Sequence, residues 1–213
     1  MENHRPLKGK FFVLEGSDGS GKSTVATGLY RELTARGHRV LKTREPGGSP
    51  IGEEIRELLL NPQNSAMAPR TEALLYAASR AQHVAQVILP ALEEGKVVLC
   101  ERYIFSSIVY QGVGRNLGIE EIFRLNQWAT GALVPHLTLY LDTDNLKREE
   151  RLKKRFLGEE PDRLELDGDF LERVHRGYGK VLEVFPHAMK IIDATQSPEA
   201  VLKQCVAALE KEL

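Results

Sequence analysis

The sequence predicts an α/β fold in which five parallel strands form one sheet and helices cover both of its faces. The first observation is five short runs rich in Val, Ile, Leu and aromatic residues, which are typical of buried parallel strands. The second is a helical pattern between successive runs, because strands that alternate with helices predict right-handed crossover connections. The third is the length of 213 residues, which fits one large domain.

The predicted strands and helices alternate along the chain. The apolar runs that predict strands cover residues 10–15, 39–43, 96–100, 137–142 and 190–193. The apolar patterns that predict helices cover residues 25–36, 49–60, 71–94, 119–128, 169–185 and 198–213. Gly37 is expected to end the first helix. In the last helix an apolar residue recurs every four positions, at Val201, Cys205 and Leu209. No repeat or linker divides the chain, so a single domain over residues 1–213 is expected.

The composition narrows the classes of protein to which the chain can belong. The net charge is −1, so no basic field argues for a nucleic-acid partner. No apolar run approaches membrane-spanning length, and the polar start, residues 1–10, lacks a signal segment. Cys100 and Cys205 lie in apolar segments and indicate no disulfide, and the histidines lack the spacing of a zinc site. We expect a cytoplasmic enzyme or switch that acts on neither nucleic acids nor membranes.

One motif, at residues 16–23, defines the predicted binding chemistry. It follows the first strand and matches the G-x-x-x-x-G-K-[ST] pattern. The glycines let the backbone turn its N–H groups toward phosphate oxygens, and the following helix adds the positive end of its dipole. Lys22 brings a charge to the outer phosphates, and the Ser23 hydroxyl can coordinate Mg²⁺. The sequence therefore predicts a nucleoside triphosphate site formed by Gly16, Ser17, Asp18, Gly19, Ser20, Gly21, Lys22, Ser23 and Thr24.

Charged residues follow the other strands, at the edge where ligands bind in such sheets. Arg44 follows the second strand, Glu101 and Arg102 follow the third, and a basic run at residues 147–155 follows the fourth. Several arginines at strand ends are suited to clamping two phosphorylated nucleotides. A late basic segment can fold over the donor phosphates and exclude water, although the run is equally compatible with a solvated helix face.

These residues leave more than one class of protein open. A GTPase is disfavoured because no Asn-Lys-x-Asp segment follows a strand. A kinase that acts on phosphorylated nucleotides fits the arginines best. A nucleotide-dependent switch or assembly ATPase would hydrolyse nucleotide regardless of any monophosphate. A protein that has kept the pocket and lost turnover would transfer nothing.

Several further segments, in the same order, resemble the thymidylate kinase family of nucleoside monophosphate kinases. Residues 15–23 are similar to its phosphate loop, 43–48 to its second signature, 75–83 to its thymine-holding helix, 101–112 to its acceptor site and 162–165 to the end of its lid. The resemblance implies a P-loop nucleoside monophosphate kinase fold, with a five-stranded parallel sheet flanked by helices. It implies transfer of the γ-phosphoryl group of ATP to dTMP with Mg²⁺ as cofactor. It also implies a homodimer and a lid over residues 148–166.

The resemblance implies how the acceptor nucleotide binds. Tyr76 would lie against the thymine face, and Arg80, one helical turn later, would reach the polar edge of the base. Tyr110 would pack under the sugar and exclude a 2′-hydroxyl, and Asp18 would accept a hydrogen bond from the 3′-hydroxyl. The residues implied to bind dTMP are Asp18, Arg44, Arg56, Tyr76, Arg80, Arg102, Ser107, Tyr110 and Gln111.

The resemblance also implies which residues act on the transferred group. Lys22 and Arg102 would bridge the phosphoryl group and stabilise the charge on its oxygens. Ser23 and Glu101 would hold Mg²⁺; the family usually has Asp where this chain has Glu101, so we expect an altered metal geometry. The predicted catalytic residues are Lys22, Arg102, Arg155, Asp18 and Glu101.

The source of the catalytic arginine separates two groups within the family. One group carries an arginine in the phosphate loop directly after the acidic residue, where this chain has Gly19. The other group, bacterial in type, supplies the arginine from the lid, and the basic run fits that group. Arg155 is the favoured candidate and Arg151 is the alternative.

Overall fold

A parallel sheet forms the centre of the protein. The computed structural model describes residues 8–158 and 160–213, so residues 1–7 of the expected domain and residue 159 of the expected lid lie outside the described residues. The strands are β1 (Lys10–Glu15), β2 (Val40–Arg44), β3 (Val97–Glu101), β4 (Leu137–Asp142) and β5 (Lys190–Asp193). Every pairing is parallel, in the order β2-β3-β1-β4-β5. The predicted five-stranded parallel sheet is confirmed, with β2 and β3 each displaced by one residue.

The helices differ more from their predicted bounds. They are α1 (Lys22–Ala35), α2 (Pro50–Leu60), α3 (Pro69–His83), α4 (Leu89–Glu93), α5 (Ile104–Ser107), α6 (Ile119–Ala129), α7 (Asn145–Arg155), α8 (Gly168–Val184) and α9 (Pro198–Leu209). The helix predicted over 71–94 is divided by a π-helical segment, Val84–Ile88, between α3 and α4. A second π-helical segment, Ile108–Gly114, extends α5, a helix that the apolar pattern does not predict. The last helix ends at Leu209, before the predicted end.

Local side-chain chemistry explains where several helices begin. At these N-termini a Ser or Asp side chain accepts a hydrogen bond from a backbone N–H of the first turn, which otherwise has no partner within the helix. The capping residues are Ser49 for α2, Asp144 for α7, Asp167 for α8 and Ser197 for α9. At the other end of α1, Gly37 has a positive φ of 87°, which agrees with its predicted place at the helix terminus.

The alternation of side chains along β1 divides the core into two layers. Phe12 and Leu14 pack in a layer with side chains of α1 and α9, including Leu29 and Cys205. Phe11 and its layer lie on the opposite face with side chains of α3, α5, α8 and the two π-helical segments. The doubly wound arrangement therefore buries both faces of the sheet. Within the described ranges, no helix combines the length and apolar character needed to cross a membrane.

The position of β1 determines where a ligand can bind. The strand lies between β3 and β4. The chain first adds β2 and β3 on one side of β1 and then adds β4 and β5 on the other side. Loops that follow neighbouring strands separate at such a point and leave a crevice at the carboxyl edge. The segments after β1, β2, β3 and β4 all meet at this edge, and they carry the charged residues that the sequence singles out.

Helix α8 packs against the π-helical segment Ile108–Gly114, and this contact predicts that alanine substitutions at two glycines of α8 have opposite effects on stability. A Cβ at Gly177 would lie 3.0 Å from Val109, which is fully buried, whereas a Cβ at Gly179 meets no atom of the described residues within 4 Å. We expect Gly179→Ala to stabilise the protein by roughly 0.5–1 kcal/mol through helix propensity. Gly177→Ala should forfeit that gain and destabilise the protein. Chemical denaturation of both variants measures the difference, and equal stabilisation would contradict the packing.

Candidate active site

A cavity of about 430 Å³ opens at the carboxyl edge of the sheet. Its volume is in the range of small-molecule sites. The predicted residues that line it are Asp18, Gly19, Gly21, Lys22, Ser23, Thr24, Arg44, Arg56, Tyr76, Arg80, Glu101, Arg102, Ser107, Tyr110, Gln111 and Arg155. Residues in the lining that the sequence did not single out as site residues include Glu45, Ser106, Asp162 and Glu165. The structure thus brings together segments that lie far apart in the sequence.

The loop between β1 and α1 curls around the amino group of Lys22. The ammonium donates to the carbonyl oxygens of Gly16 at 3.0 Å and Ser17 at 2.8 Å. Gly21 immediately precedes α1 with a φ of 97°, a conformation that a residue with a Cβ rarely adopts. Burial and the neighbouring Arg102 guanidinium lower the pKa of Lys22 to about 7. The loop carbonyls therefore hold the Lys22 side chain in place, and its charge near neutral pH depends on burial and on the nearby charged groups.

A buried carboxylate, Glu15, ties this loop to the segment after β3. One oxygen accepts hydrogen bonds from the backbone N–H groups of Tyr103 at 2.9 Å and Ser106 at 3.0 Å. The other accepts from the Ser106 hydroxyl at 2.5 Å and the Tyr178 hydroxyl at 3.1 Å. The Tyr178 oxygen in turn accepts from the backbone N–H of Gly16 at 3.2 Å. In the sequence Glu15 is the first residue of the segment that resembles the phosphate loop, and the motif gives no sign of this role.

Arg102 lies at the centre of the cavity in a left-handed conformation, with a φ of 67°. Its guanidinium donates to the Gly16 carbonyl at 3.0 Å, the Ser106 hydroxyl at 3.1 Å and the Asp18 carboxylate at 2.5 Å. The Tyr110 hydroxyl donates to the other Asp18 oxygen at 2.7 Å. Asp18 and Tyr110, which are predicted to contact the sugar, and Arg102, which is predicted to contact the phosphates, are therefore joined by hydrogen bonds. Non-glycine residues with positive φ are uncommon and occur more often at functional sites.

The charges around Asp18 keep it ionised. Burial alone would raise its pKa, but Arg102 and Lys22, together with the Tyr110 hydrogen bond and the charge of Arg155, hold it well below its usual range. Burial works against the charge of Arg102 too, yet contact with Tyr110 and Asp18 raises its pKa well above the usual value. The cavity thus has fixed positive and negative groups beside each other before any ligand binds.

Two oxygens converge at the start of α1, where the predicted metal ligands meet. The Ser23 hydroxyl donates to a Glu101 carboxylate oxygen at 2.6 Å. A hydroxyl and a carboxylate are hard oxygen donors of the kind that Mg²⁺ prefers, usually together with water and substrate phosphates. The donor set therefore fits the ion, and the longer side chain of Glu101 reaches the serine.

The opposite end of the cavity is formed by α3, α5 and the π-helical segment Ile108–Gly114. Tyr76 lines this end, and Ser107 and Gln111 line it from the other side. Arg80 is 2% exposed and donates from Nε to Glu45 at 2.6 Å and from Nη1 to the Ser107 hydroxyl at 2.8 Å. The buried ion pair with Glu45 holds the guanidinium in place at the cavity wall. Glu45 precedes Pro46, and the peptide bond between them is cis.

Arg80 also bonds to groups outside the cavity. Its Nη1 donates to the Asn126 side chain of α6, and its Nη2 donates to the Tyr103 carbonyl at 2.9 Å. Asn126 is 1% exposed. The arginine therefore serves both as part of the cavity wall and as a link between α3, α6 and the segment after β3.

Arg44 and Arg56 also line the cavity; Arg44 is exposed and Arg56 is half-buried. Arg44 donates to both carboxylate oxygens of Glu53, at 2.8 and 3.0 Å, and this ion pair is exposed. Arg56 donates to the Pro46 carbonyl at 3.0 Å. Both arginines are placed beside the loop that follows β2.

The two lid arginines have different partners. Arg151 donates to the carbonyl oxygens of Gly19 at 3.2 Å and Ser20 at 3.3 Å, and to that of Ala194 at 3.2 Å, so it fastens α7 to the phosphate loop. Arg155, one turn later, donates to the Glu165 carboxylate. Both line the cavity. Arg151 thus bonds to backbone oxygens, whereas Arg155 bonds to an acidic side chain of the lid.

A fully buried acid, Glu72, was not found by the sequence analysis. Its carboxylate accepts hydrogen bonds from Gln111 at 2.9 Å, Arg115 at 3.0 Å and Arg163 at 2.8 Å. Arg163 also donates to the Leu59 carbonyl at 2.7 Å. A signal was available, because Glu72 lies one helical turn before Tyr76 on the same face of α3.

Glu45, His83 and Cys100 bring potential metal-ligating atoms within 4.8 Å of one another. The histidine ring lies 3.0 Å from one Glu45 oxygen, and the Cys100 thiol donates to the Arg102 carbonyl at 3.2 Å. The second Glu45 oxygen is bound by the positively charged Arg80. The three residues therefore belong to a hydrogen-bonded network beside a cation, which opposes the entry of a metal ion.

A phosphate loop at the centre of a 2-3-1-4-5 parallel sheet, facing a polar pocket across a cluster of arginines, defines a P-loop nucleoside monophosphate kinase. A model of the thymidylate kinase family matches residues 14–205. The thymidylate kinase of Bacillus licheniformis is 48% identical, covering 97% of this chain and 98% of that protein. That of Finegoldia magna is 50% identical, covering 94% and 98%. The chain belongs to the thymidylate kinase family.

Solved structures agree with this assignment. The crystal structure of thymidylate kinase from Ehrlichia chaffeensis matches with a TM-score of 0.77 and 28% sequence identity. The match covers 94% of this chain and 98% of that chain. The predicted fold and family are therefore both confirmed.

The lowered pKa of Lys22 predicts uptake of a proton when MgATP binds. At pH 8 much of the free protein has a neutral lysine, because its pKa is about 7. Triphosphate oxygens favour the charged form, so binding should raise the pKa and take up a proton. At pH 6 the lysine is already charged and uptake at this group should be small. Calorimetry at each pH in buffers of different ionisation enthalpy measures the protons exchanged.

A matched variant separates Lys22 from other titrating groups. Lys22→Arg remains charged at both pH values, so its uptake at pH 8 should be much smaller than that of the unaltered protein. Equal uptake by the two proteins would show that another group titrates.

Proposed function

We propose that the protein transfers the γ-phosphoryl group of MgATP to dTMP, giving dTDP and ADP. It would do so in the cytoplasm, as a single P-loop kinase domain over residues 1–213 with a lid at 148–166. The observation that carries the proposal is the arrangement of one cavity. Residues of the phosphate loop line it together with Tyr76, Gln111 and Arg102. Arg102 donates to the Gly16 carbonyl of the loop and to the Tyr110 hydroxyl, so it connects the loop with the pocket.

The donor phosphates bind at the loop after β1. Backbone N–H groups of the loop and the N-terminus of α1 face the phosphates, with Gly16, Ser17, Gly19, Ser20, Gly21 and Thr24 forming the cradle around them. Lys22 leaves its carbonyl partners for the outer phosphate oxygens. Ser23 and Glu101 would hold Mg²⁺, which would supply charge neutralisation at the transferring group. The carboxylate–hydroxyl pair observed at 2.6 Å supports this role for both side chains.

The acceptor phosphate is held by arginines that line the cavity. Arg102 faces both the loop carbonyl of Gly16 and the Asp18 carboxylate, so its guanidinium can bridge donor and acceptor. Arg44 and Arg56 line the same cavity and can add positive charge to the acceptor. The dTMP phosphate is already an anion and needs no strong base, so positioning and charge stabilisation account for direct in-line transfer.

The sugar and base are recognised at the opposite end. Asp18 accepts from the 3′-hydroxyl, while the Tyr110 ring lies under the sugar and leaves no room for a 2′-hydroxyl. Tyr76 stacks on the thymine face, and Arg80, Ser107 and Gln111 bind the edge of the base. The burial and fixed orientation of Arg80 support this assignment, because a preorganised donor distinguishes one base edge from another.

The lid supplies the additional arginine at the transferring group. Arg155 is the proposed candidate because it lines the cavity and its charge acts on Asp18, whereas Arg151 fastens α7 to the carbonyls of Gly19, Ser20 and Ala194. The positive charge of Arg155 also lowers the pKa of Asp18, adding to the larger lowering effects of Arg102, Lys22 and the Tyr110 hydrogen bond, which together overcome the raising effect of burial. Glu165, an acidic partner of Arg155, belongs to the same lid and can release it when phosphates bind.

A homodimer is the proposed assembly. Leu58 of α2, Leu74 of α3 and Trp128 of α6 are exposed apolar side chains, and Trp128 is 84% exposed. α3 packs against both α2 and α6, so these three helices are neighbours. Large apolar side chains on adjacent helices support association with a second copy. Sedimentation of the purified protein tests this assembly directly.

The proposed reaction is tested by incubating the protein with MgATP and a panel of nucleoside monophosphates and separating the products. Formation of dTDP and ADP in equal amounts, with dTMP strongly preferred over dUMP, dCMP and ribothymidine monophosphate, is the expected result. Preference for another acceptor would assign a different kinase activity. ADP formation that no monophosphate alters would instead indicate a hydrolytic switch.

Arg155→Ala should lower kcat by roughly 10²-fold or more, because its charge is needed chiefly in the transition state. The dissociation constant of dTMP should change far less. Steady-state kinetics and direct binding measure the two effects. Lys154→Ala, which removes an exposed charge on the same helix, is the control and should retain kcat. Equal losses in turnover and binding, or no loss, would remove Arg155 from this role.

Tyr110→Ala should narrow the preference for the deoxyribose over the ribose substrate, since it removes the ring beneath the sugar. Tyr110→Phe keeps the ring and removes the hydroxyl that donates to Asp18, so it should retain the preference at a lower rate. The measured quantity is the ratio of kcat/KM for dTMP and ribothymidine monophosphate. An unchanged ratio in the alanine variant would contradict the steric explanation.

A further inference from the structure

The amide of Gln111 has one orientation that its surroundings permit. Gln111 is 1% exposed and lines the base end of the cavity. Its Nε2 lies 2.9 Å from a carboxylate oxygen of Glu72. An ionised carboxylate can only accept hydrogen bonds, so the NH₂ group must face Glu72 and the amide oxygen must face away. That oxygen is buried and has no hydrogen-bond partner among residues 8–158 and 160–213.

Two arginines keep Glu72 ionised. Burial would raise the pKa of its carboxyl, but hydrogen bonds from Arg115, Gln111 and Arg163 hold the pKa below its usual value. Neither arginine lines the cavity, so their contact with Glu72 does not depend on a ligand. The carboxylate is therefore a permanent acceptor, and the Gln111 amide is constrained before any base binds.

Arg80 supplies the complementary group nearby. A guanidinium has five N–H donors, and in the described part of the chain Arg80 gives four of them to Glu45, Ser107, Asn126 and the Tyr103 carbonyl. One N–H on Nη2 has no partner among these contacts, and Arg80 lines the cavity. The base pocket thus offers a donor from Arg80 and an acceptor from Gln111.

A donor from Arg80 beside an acceptor from Gln111 distinguishes a thymine or uracil edge from a cytosine edge. A thymine or uracil edge presents a carbonyl oxygen beside an N3–H donor, which matches the Arg80 donor and the Gln111 oxygen. A cytosine edge presents an amino donor beside an N3 acceptor, which reverses both contacts. Two donors or two acceptors then face each other in a buried site, where unpaired polar groups are costly. Selectivity therefore depends on the Gln111 oxygen remaining toward the base.

We infer that Glu72 is a positioning residue that sets base selectivity, by locking the Gln111 amide with its oxygen directed at the base. This inference rests on the proposed function, since it assumes that the pocket holds a pyrimidine nucleotide. Glu72 lies behind Gln111 and outside the residues that line the cavity, so it acts through the amide rather than on the substrate.

The test is the variant Glu72→Gln, whose amide can either donate or accept. The Gln111 amide then becomes free to turn and present its NH₂ group to a cytosine edge. We expect the ratio of kcat/KM for dTMP to kcat/KM for dCMP to fall by roughly ten-fold or more. Calorimetric binding of the two nucleotides should show the same change in ratio without any turnover.

Arg115→Met is the matched control. It removes one ion-pair partner of the same carboxylate, at 3.0 Å, and leaves the contact between Glu72 and Gln111 in place. It should lower the melting temperature and leave the dTMP to dCMP ratio unchanged. A shift in this control equal to that of Glu72→Gln would assign Glu72 a general structural role and overturn the inference.

Glu72→Asp keeps the test decisive if Glu72→Gln does not fold. The aspartate keeps the negative charge between Arg115 and Arg163, but its side chain is one methylene shorter, so the carboxylate lies farther from Gln111. We expect the ratio to fall in this variant as well. A folded variant of either kind with the original ratio would overturn the inference. Failure of the unaltered protein to phosphorylate dTMP would instead refute the proposed function, and the two failures are measured separately.

Discussion

The geometry of the whole site depends on one buried carboxylate at the end of the central strand. Each oxygen of Glu15 accepts two hydrogen bonds, from backbone and hydroxyl groups of the segment after β3 and from Tyr178 of α8. Tyr178 extends this contact to the backbone of Gly16. A single side chain therefore fixes the distance between the phosphate loop and the segment that carries Arg102. Buried polar networks in which every member has a partner are rigid, because any change leaves a group unpaired.

The rigid hydrogen-bond network around Glu15 explains how many charged side chains can lie close together around the cavity. Arg102 and Asp18 are paired at 2.5 Å, and Arg80 and Glu45 are paired at 2.6 Å with little exposure. Such pairs stabilise a fold only modestly, because desolvation offsets much of their attraction. In this site the two ion pairs instead hold the charged side chains in a fixed orientation. Groups that already point at the developing charge need no rearrangement during the reaction, which is the main source of electrostatic catalysis.

The sequence predicts the parts of this protein that depend on local pattern. The strands follow from apolar runs, and the phosphate loop follows from residue spacing, so both were located within a residue. The π-helical segments Val84–Ile88 and Ile108–Gly114 were not predicted, because the same helix-forming residues can adopt i→i+5 bonds and only tertiary packing selects them. Glu15 and Glu72 were missed as functional supports for a similar reason. Their partners are distant in sequence, and the one local signal, the position of Glu72 one helical turn before Tyr76, does not show that the glutamate will be buried.

The most direct test is a crystal structure of the protein with dTMP and a non-hydrolysable ATP analogue. We expect the contacts of Glu15 to persist in this complex, since the carboxylate fixes the distance between the phosphate loop and Arg102. We also expect the acceptor phosphate to lie against Arg102, with the base edge at Arg80 and Gln111. A complex in which Glu15 loses these partners, or in which dTMP binds away from Arg102, would contradict the account.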